Sequence, residues 1–249
     1  MSVHTYLNSY LYHETIYIRV PQDQNHQLTV IQLRTPVYGH PPHNMPAYKL
    51  TYFTVRGRGE LIRLALETAG KSYEEVKVTF ADWPALKPNM PTGQLPVLEV
   101  DGKQLVQSLA IARYLGKEFG MAGECSMEQC LVDQVIDTGA DGLTAYVKWY
   151  FEKDEEKKAE LKKELVETTI PKFAQMFTTF LENSGGKNGF FVGSKLTLAD
   201  LACHEAFTDF LQLNADALND FPKLAANRQK VEENETLKQY LAKRPESVI

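Results

Sequence analysis

One change of periodicity constrains this chain more than any other feature. From residue 47 the sequence alternates between strand and helix patterns, and from Ser126 onward it is helical almost throughout. Residues 47–54 mix aromatic, branched and apolar side chains, which reads as a strand with Tyr48, Leu50 and Tyr52 on one face. Arg56-Gly57-Arg58-Gly59 breaks it. Leu61, Ile62, Leu64, Ala65, Leu66 and Ala69 then recur at helical spacing, and Gly70 stops that helix. A second strand follows at 73–80. Strand, helix, strand in this order predicts parallel pairing with a right-handed crossover.

The stretch 81–94 carries Pro84, Pro88, Pro91 and Gly93 and reads as an irregular excursion with one short helix. Two short apolar runs, 95–100 and 103–106, flank Asp101-Gly102, a strong hairpin signal. Ser108 is expected to cap a helix through Leu109, Ile111, Ala112, Tyr114 and Leu115. The expected fold is therefore an α/β thioredoxin-like domain over residues 45–123, followed by an all-α domain over 126–249. Helices are expected near 127–152, 155–182, 197–212, 222–232 and 235–243. Thr197-Leu198-Ala199-Asp200 reads as a capping box with Leu196 and Leu201 at the staple positions, a structural feature. The charged run from Glu152 to Lys163 reads as a solvated helix face.

Residues 1–44 differ in composition. Glu14, Arg19, Asp23 and Arg34 are their only formal charges, and they hold five of the six histidines: His4, His13, His26, His40 and His43. They are read as an appended, irregular leader outside the folded body. It lacks the basic start and continuous apolar stretch of a signal peptide. The irregular histidine spacing reads as scattered surface residues and not as a metal site.

Overall, 43% hydrophobic and 24% charged residues in 249 suit a globular protein with a sizeable core. A net charge of −5 gives no reason to expect nucleic acid as a partner. Cys125, Cys130 and Cys203 are too few for a disulfide framework and fit a reducing, cytoplasmic setting. No run of about 18 apolar residues exists, so no membrane span is expected.

Absences narrow the chemistry. A thioredoxin-like domain carries its reactive cysteine at the end of the first strand or the start of the first helix, yet residues 52–59 contain none, which excludes dithiol exchange there. His204 is the only histidine after residue 44, which argues against a Ser-His-Asp or Cys-His triad. If the chain is an enzyme, its sulfur must arrive with a substrate. Two features suit a peptide-like substrate. Pro96, just before a strand, is a candidate cis proline, and such a bond would free the Leu95 backbone to pair with an extended ligand. Gln107-Ser108 open a helix whose first amides suit a carboxylate. Ordinary alternatives exist for each: a trans proline at a strand start, and a plain N-cap.

These motifs, taken in order, resemble the sigma-class glutathione transferases and, within that class, the haematopoietic prostaglandin D synthase branch. The resemblance rests on Met45 through Phe53, Arg56-Gly57-Arg58-Gly59-Glu60 and Ala81-Asp82-Trp83-Pro84. It continues through 93–102, through Gln107-Ser108-Leu109-Ala110-Ile111-Ala112-Arg113-Tyr114-Leu115, then Met127-Glu128-Gln129-Cys130 and Leu198-Ala199-Asp200. It implies a homodimer that uses glutathione as co-substrate, with no cofactor. It implies that Tyr52 donates its hydroxyl to the glutathione sulfur, with Arg58 nearby to favour the anion. Trp83 and Lys87 would hold the glycine carboxylate, and Leu95 beside Pro96 the cysteinyl backbone. Gln107 and Ser108 would grip the γ-glutamyl end, and Asp141 would reach its amine from the partner subunit. Gln94 stands where some relatives have lysine.

By its position at the strand end, Tyr52 is preferred over Tyr48; Thr51 and Thr54 are weaker hydroxyl candidates. Phe53, Tyr146 and Trp149 are candidates for an apolar electrophile pocket, with helix packing as the competing reading. In the prostaglandin synthase, three clustered aspartates bind a divalent cation. Asp137 and Asp141 match two, but the middle position is Ala140, so no metal is expected here. The expected activity is conjugation of glutathione to hydrophobic electrophiles, a detoxifying reaction. Prostaglandin isomerisation and a crystallin-like binding protein are the alternatives.

Overall fold

A computed structural model describes residues 12–22, 27–37, 47–244 and 247 of the chain, the first two segments by backbone alone. The chain divides after Pro46 into two compact units. In the first, strands β1 (Tyr12–Gln22) and β2 (Gln27–Val37) pair antiparallel, from Tyr12↔Val37 to Gln22↔Gln27. This corrects the expectation of an irregular leader. Thr15-Ile16-Tyr17-Ile18 and Thr29-Val30-Ile31 are β-branched and aromatic runs, whose stiff side chains favour strands. His4, His26, His40 and His43 lie outside the described residues.

The second unit, Ala47–Ile249, carries the site. Strand β3 (Tyr48–Phe53) alternates buried and half-buried positions, with Tyr48, Leu50 and Tyr52 inward as the period of two requires. Helix α1 (Glu60–Thr68) follows, then β4 (Tyr73–Val78), which pairs parallel to β3. A short helix α2 (Trp83–Leu86) sits in the proline-rich excursion. Strands β5 (Val97–Val100) and β6 (Lys103–Val106) form the hairpin turned by Asp101-Gly102, both at positive φ. β5 lies antiparallel to β3, giving the sheet order β4-β3-β5-β6, and α3 (Ser108–Glu118) closes the α/β half.

The rest is helical: α4 (Ser126–Tyr150), α5 (Glu155–Glu164), α6 (Ile170–Asn183), α7 (Leu198–Leu213), α8 (Pro222–Glu232) and α9 (Glu235–Lys243). The expected single helix over 155–182 is two helices joined by a π turn at Leu165–Thr169. Pro171 explains the break, because its ring clashes with the carbonyl four residues earlier and removes one helical hydrogen bond. Helices α4 and α7 pack closely through small residues: a Cβ on Gly139 would lie 3.3 Å from the Ala202 carbonyl oxygen. The capping box at Thr197 is complete. Fully buried Asp200 accepts the Thr197 N–H at 2.7 Å, the Phe191 N–H at 3.0 Å and the Asn227 amide at 2.7 Å.

Buried charges join the two halves of this unit. Arg56 donates to Asp209 at 2.5 Å and lies 3.6 Å from Glu205; Arg244 spans Glu60 at 2.9 Å and Glu205 at 3.2 Å. Pairing is what makes the Arg56 and Arg244 charges tolerable away from water.

Candidate functional site

The site begins at the end of β3. Tyr52 is 6% exposed, and its ring lies against the turn Gly57–Gly59. Glycine is needed twice there. Gly57 takes φ +38°, and a Cβ on it would stand 2.8 Å from the Tyr52 hydroxyl. A Cβ on Gly59 would stand 2.3 Å from the ring carbon Cδ1. The Arg58 backbone N–H donates to the Tyr52 hydroxyl oxygen at 2.9 Å. Burial raises the phenol pKa; the Arg58 amide and the Arg63 and Arg58 charges pull against that rise. The proton therefore stays on the oxygen at neutral pH. Since the oxygen already accepts from Arg58, its own O–H remains available to a further acceptor.

Arg63 holds this corner from behind. Its guanidinium lies 5.6 Å from the centre of the Tyr52 ring. It donates to Val55 O at 2.9 Å, Phe53 O at 3.2 Å, Glu60 at 3.0 Å and Glu75 at 2.6 Å. It thus donates to the carbonyls of a chain leaving the sheet. The Arg58 side chain points the other way and donates to Thr144 Oγ1 on α4 at 3.1 Å.

Beside this turn lies an open polar cleft of about 610 Å³. Trp83, Lys87, Gln94, Leu95, Pro96, Gln107 and Ser108 line it, with Phe53 and Arg58 on the near side. The peptide bond between Leu95 and Pro96 is cis. Gln107 takes φ +71°, a region where side chains other than glycine are strained, and it is the N-cap residue of α3. The cap was expected at Ser108, which is instead the first helical residue. Among the described residues no side chain caps this helix, so its first-turn amides lack a side-chain acceptor.

Two family models match this architecture: the glutathione S-transferase N-terminal domain over residues 48–117 and the C-terminal domain over 140–244. The chain belongs to the glutathione S-transferase family. It is 39% identical over 204 residues to the probable glutathione S-transferase 7 of Caenorhabditis elegans, covering 81% of this chain and 98% of that one. It is 38% identical over 205 residues to the hematopoietic prostaglandin D synthase of Gallus gallus, covering 82% and 100%. Among solved structures, that of rat hPGDS complexed with a quinoline matches with a TM-score of 0.75 at 36% identity, covering 82% of this chain and 100% of that one. These likenesses agree with the sigma-class resemblance.

Against this transferase architecture, the expected site residues divide into groups. The seven cleft residues come together, and Tyr52 stands beside them beneath Gly57 and Arg58 without lining the cleft itself. The three residues expected to form an electrophile pocket do not come together. Phe53 borders the cleft, whereas Tyr146 is fully buried and donates to Gln212 at 3.3 Å. Trp149 packs edge-on against Tyr146, with centroids 5.2 Å apart, and joins the core. A helix supplies both faces of its pattern to sequence reading, and only the packing decides which side turns inward. Asp141 is exposed on α4, outside the cleft of its own chain. Asp137 is held by Arg113, which also takes Asp133 at 2.7 Å, and no cluster suited to a metal ion occurs among the described residues. No helix among them is long and apolar enough to cross a membrane.

Sequence reading missed Arg63, whose signal was an i,i+3 charge pair with Glu60 on the apolar stripe of α1. It also missed the aromatic pair Phe80 and Phe151, 55% and 53% exposed, for which sequence spacing offered no signal.

Proposed function

We propose that this protein is a sigma-class transferase that conjugates glutathione to hydrophobic electrophiles, with Tyr52 stabilising the thiolate. The observation that carries the reading is the 2.9 Å bond from the Arg58 amide to the Tyr52 oxygen. It fixes the phenol while leaving its proton for the sulfur. A free thiol has a pKa of about 8.5 and is only a few per cent ionised at neutral pH. Lowering it by about two units takes roughly 2.7 kcal/mol in favour of the anion. One O–H···S⁻ bond with Arg58 nearby supplies energy of that order.

In this reading Lys87 and Trp83 take the glycine carboxylate, Leu95 beside Pro96 pairs with the cysteinyl backbone, and Gln107 and Ser108 take the γ-glutamyl carboxylate at the start of α3. Gln94 adds an uncharged donor. Exposed Asp141 serves the site of a partner subunit, so the working form is a homodimer. The setting is cytoplasmic, the role is detoxification, and no cofactor takes part.

Turnover of a chromogenic aryl halide with glutathione tests this. Wild type should conjugate it, and Tyr52→Phe should lose most turnover while keeping its affinity for immobilised glutathione. Retention of the wild-type protein without any turnover would instead favour a binding protein. A prostaglandin isomerase reading draws on the 38% identity to such an enzyme. Ala140 at the middle aspartate position and the engagement of Asp137 by Arg113 weigh against a cation-assisted form of it.

A further inference from the structure

A transferase needs a place for its second substrate, and the cavity between the two halves of the unit does not provide it. That space, lined by Gly57, Leu109, Ala206 and neighbours, measures about 50 Å³, room for a water or two and far below the few hundred Å³ of an organic ligand site. The open cleft is polar on its glutathione side. Phe53 stands on its apolar border, which also includes Trp83, Leu95 and Pro96, and from Phe53 a chain of rings runs outward.

Phe53 meets Trp83 edge-on at 5.4 Å and 76°. Phe80, just beyond β4, stacks on Phe53 at 4.8 Å and 21°. Phe151, at the C-terminal end of α4, meets Phe80 edge-on at 6.5 Å and 80°. The corner therefore joins the α/β half to the helical half. Both outer rings remain more than half exposed; among the described residues Met127 is the other large apolar side chain as exposed, and it is not aromatic. Two exposed rings in contact and continuous with a ligand cleft are a feature that folding alone does not require.

We propose that the corner between Phe80 and Phe151 seats the second substrate and selects electrophiles that carry a planar aromatic group. A planar ring placed there meets one wall face-on and the other edge-on, the two favoured aromatic geometries. The inference rests on the glutathione reading above, because the cleft that orients the corner is the one assigned to glutathione.

The test is calorimetric titration of the full-length protein with glutathione, S-(2,4-dinitrophenyl)glutathione and S-hexylglutathione, in wild type, Phe80→Ala and Phe151→Ala. Both substitutions are at exposed rings, and melting curves verify that the variants fold. Wild type should bind the aryl conjugate at least about tenfold more tightly than glutathione. Each variant should lose about fivefold of that preference, the effect of one ring pair, with unchanged affinity for glutathione and a smaller loss for the hexyl conjugate. Variants that keep the full aryl preference, or lose aryl and hexyl affinity equally, overturn the inference. A wild type that binds glutathione normally and the aryl conjugate no better overturns it while sparing the glutathione reading. A wild type that binds no glutathione overturns both.

Discussion

The backbone N–H of Arg58 donates to the hydroxyl oxygen of Tyr52 across 2.9 Å, so the turn after β3 and the phenol at its end position each other. The ring is caged by the same turn and backed by the Arg63 guanidinium. Small changes to this cage should therefore be read out in chemistry.

Gly59→Ala is the first of these. Gly59 has an ordinary negative φ of −85°, so backbone strain is not at issue; the new Cβ meets the Tyr52 ring at 2.3 Å. Overpacking of this kind costs about 1–3 kcal/mol. The variant should melt lower and lose kcat more than its KM for glutathione changes. Wild-type kcat would show that the position of the ring does not matter.

Gln107 holds a strained backbone, at φ +71°, where it borders the cleft. Gln107→Ala keeps the strain and removes the amide, whereas Gln107→Gly removes both. Strain of this type amounts to about 1–3 kcal/mol, partly offset by the extra freedom of glycine in the unfolded chain. Thermal melts should place the glycine variant above the alanine variant. Both should bind glutathione more weakly than wild type in a direct titration.

Asp200 serves the fold and not the chemistry. Asp200→Ala strands the amides of Phe191, Thr197 and Asn227 in a fully buried place. Loss of the cap and of these acceptors should cost about 3 kcal/mol or more. Chemical denaturation should show it, and the glutathione KM of the folded fraction should not move.

Glu205 gives a pH signature. Burial first, then the neighbouring Glu60 and Asp209, push its carboxyl up to about 8 despite Arg56 and Arg244, and Asp209 shifts upward as well. A carboxyl free in the unfolded chain titrates near pKa ~4.3. A folded pKa raised above the unfolded one contributes stability that is complete below about pH 4 and is lost as pH climbs through about 8. The Glu205 contribution to the melting temperature should thus fall between those limits, and Glu205→Gln should remove that part of the slope relative to wild type. Parallel curves for the two proteins would contradict this.

Much of this was legible before any coordinates. Tyr48, Leu50 and Tyr52 announce their strand by alternation, and Asp101-Gly102 its hairpin, because both signals are local. Leu95-Pro96 and Gln107-Ser108 carried local signals of their own, a proline before a strand and a helix start, whereas Trp83, Lys87 and Gln94 were reached only through the family resemblance. What escaped depends on packing between distant segments. Arg56 finds Asp209 across 153 residues of sequence, and Phe80 finds Phe151 across the two halves of the unit. Tyr146 turned inward because α4 shows one face to α7, and no spacing within α4 reveals which. The hairpin of Tyr12–Gln22 and Gln27–Val37 was hidden by composition, although its β-branched alternation was present to be read.

The account stands on Tyr52 as the group that holds the sulfur of bound glutathione as an anion. Thiolate absorbance of glutathione bound to wild type and to Tyr52→Phe, followed across pH, tests that directly. Wild type should ionise the thiol about two units below its free value of about 8.5, and the variant should return it to near that value at nearly unchanged affinity. The same ionisation midpoint in both proteins would contradict the account.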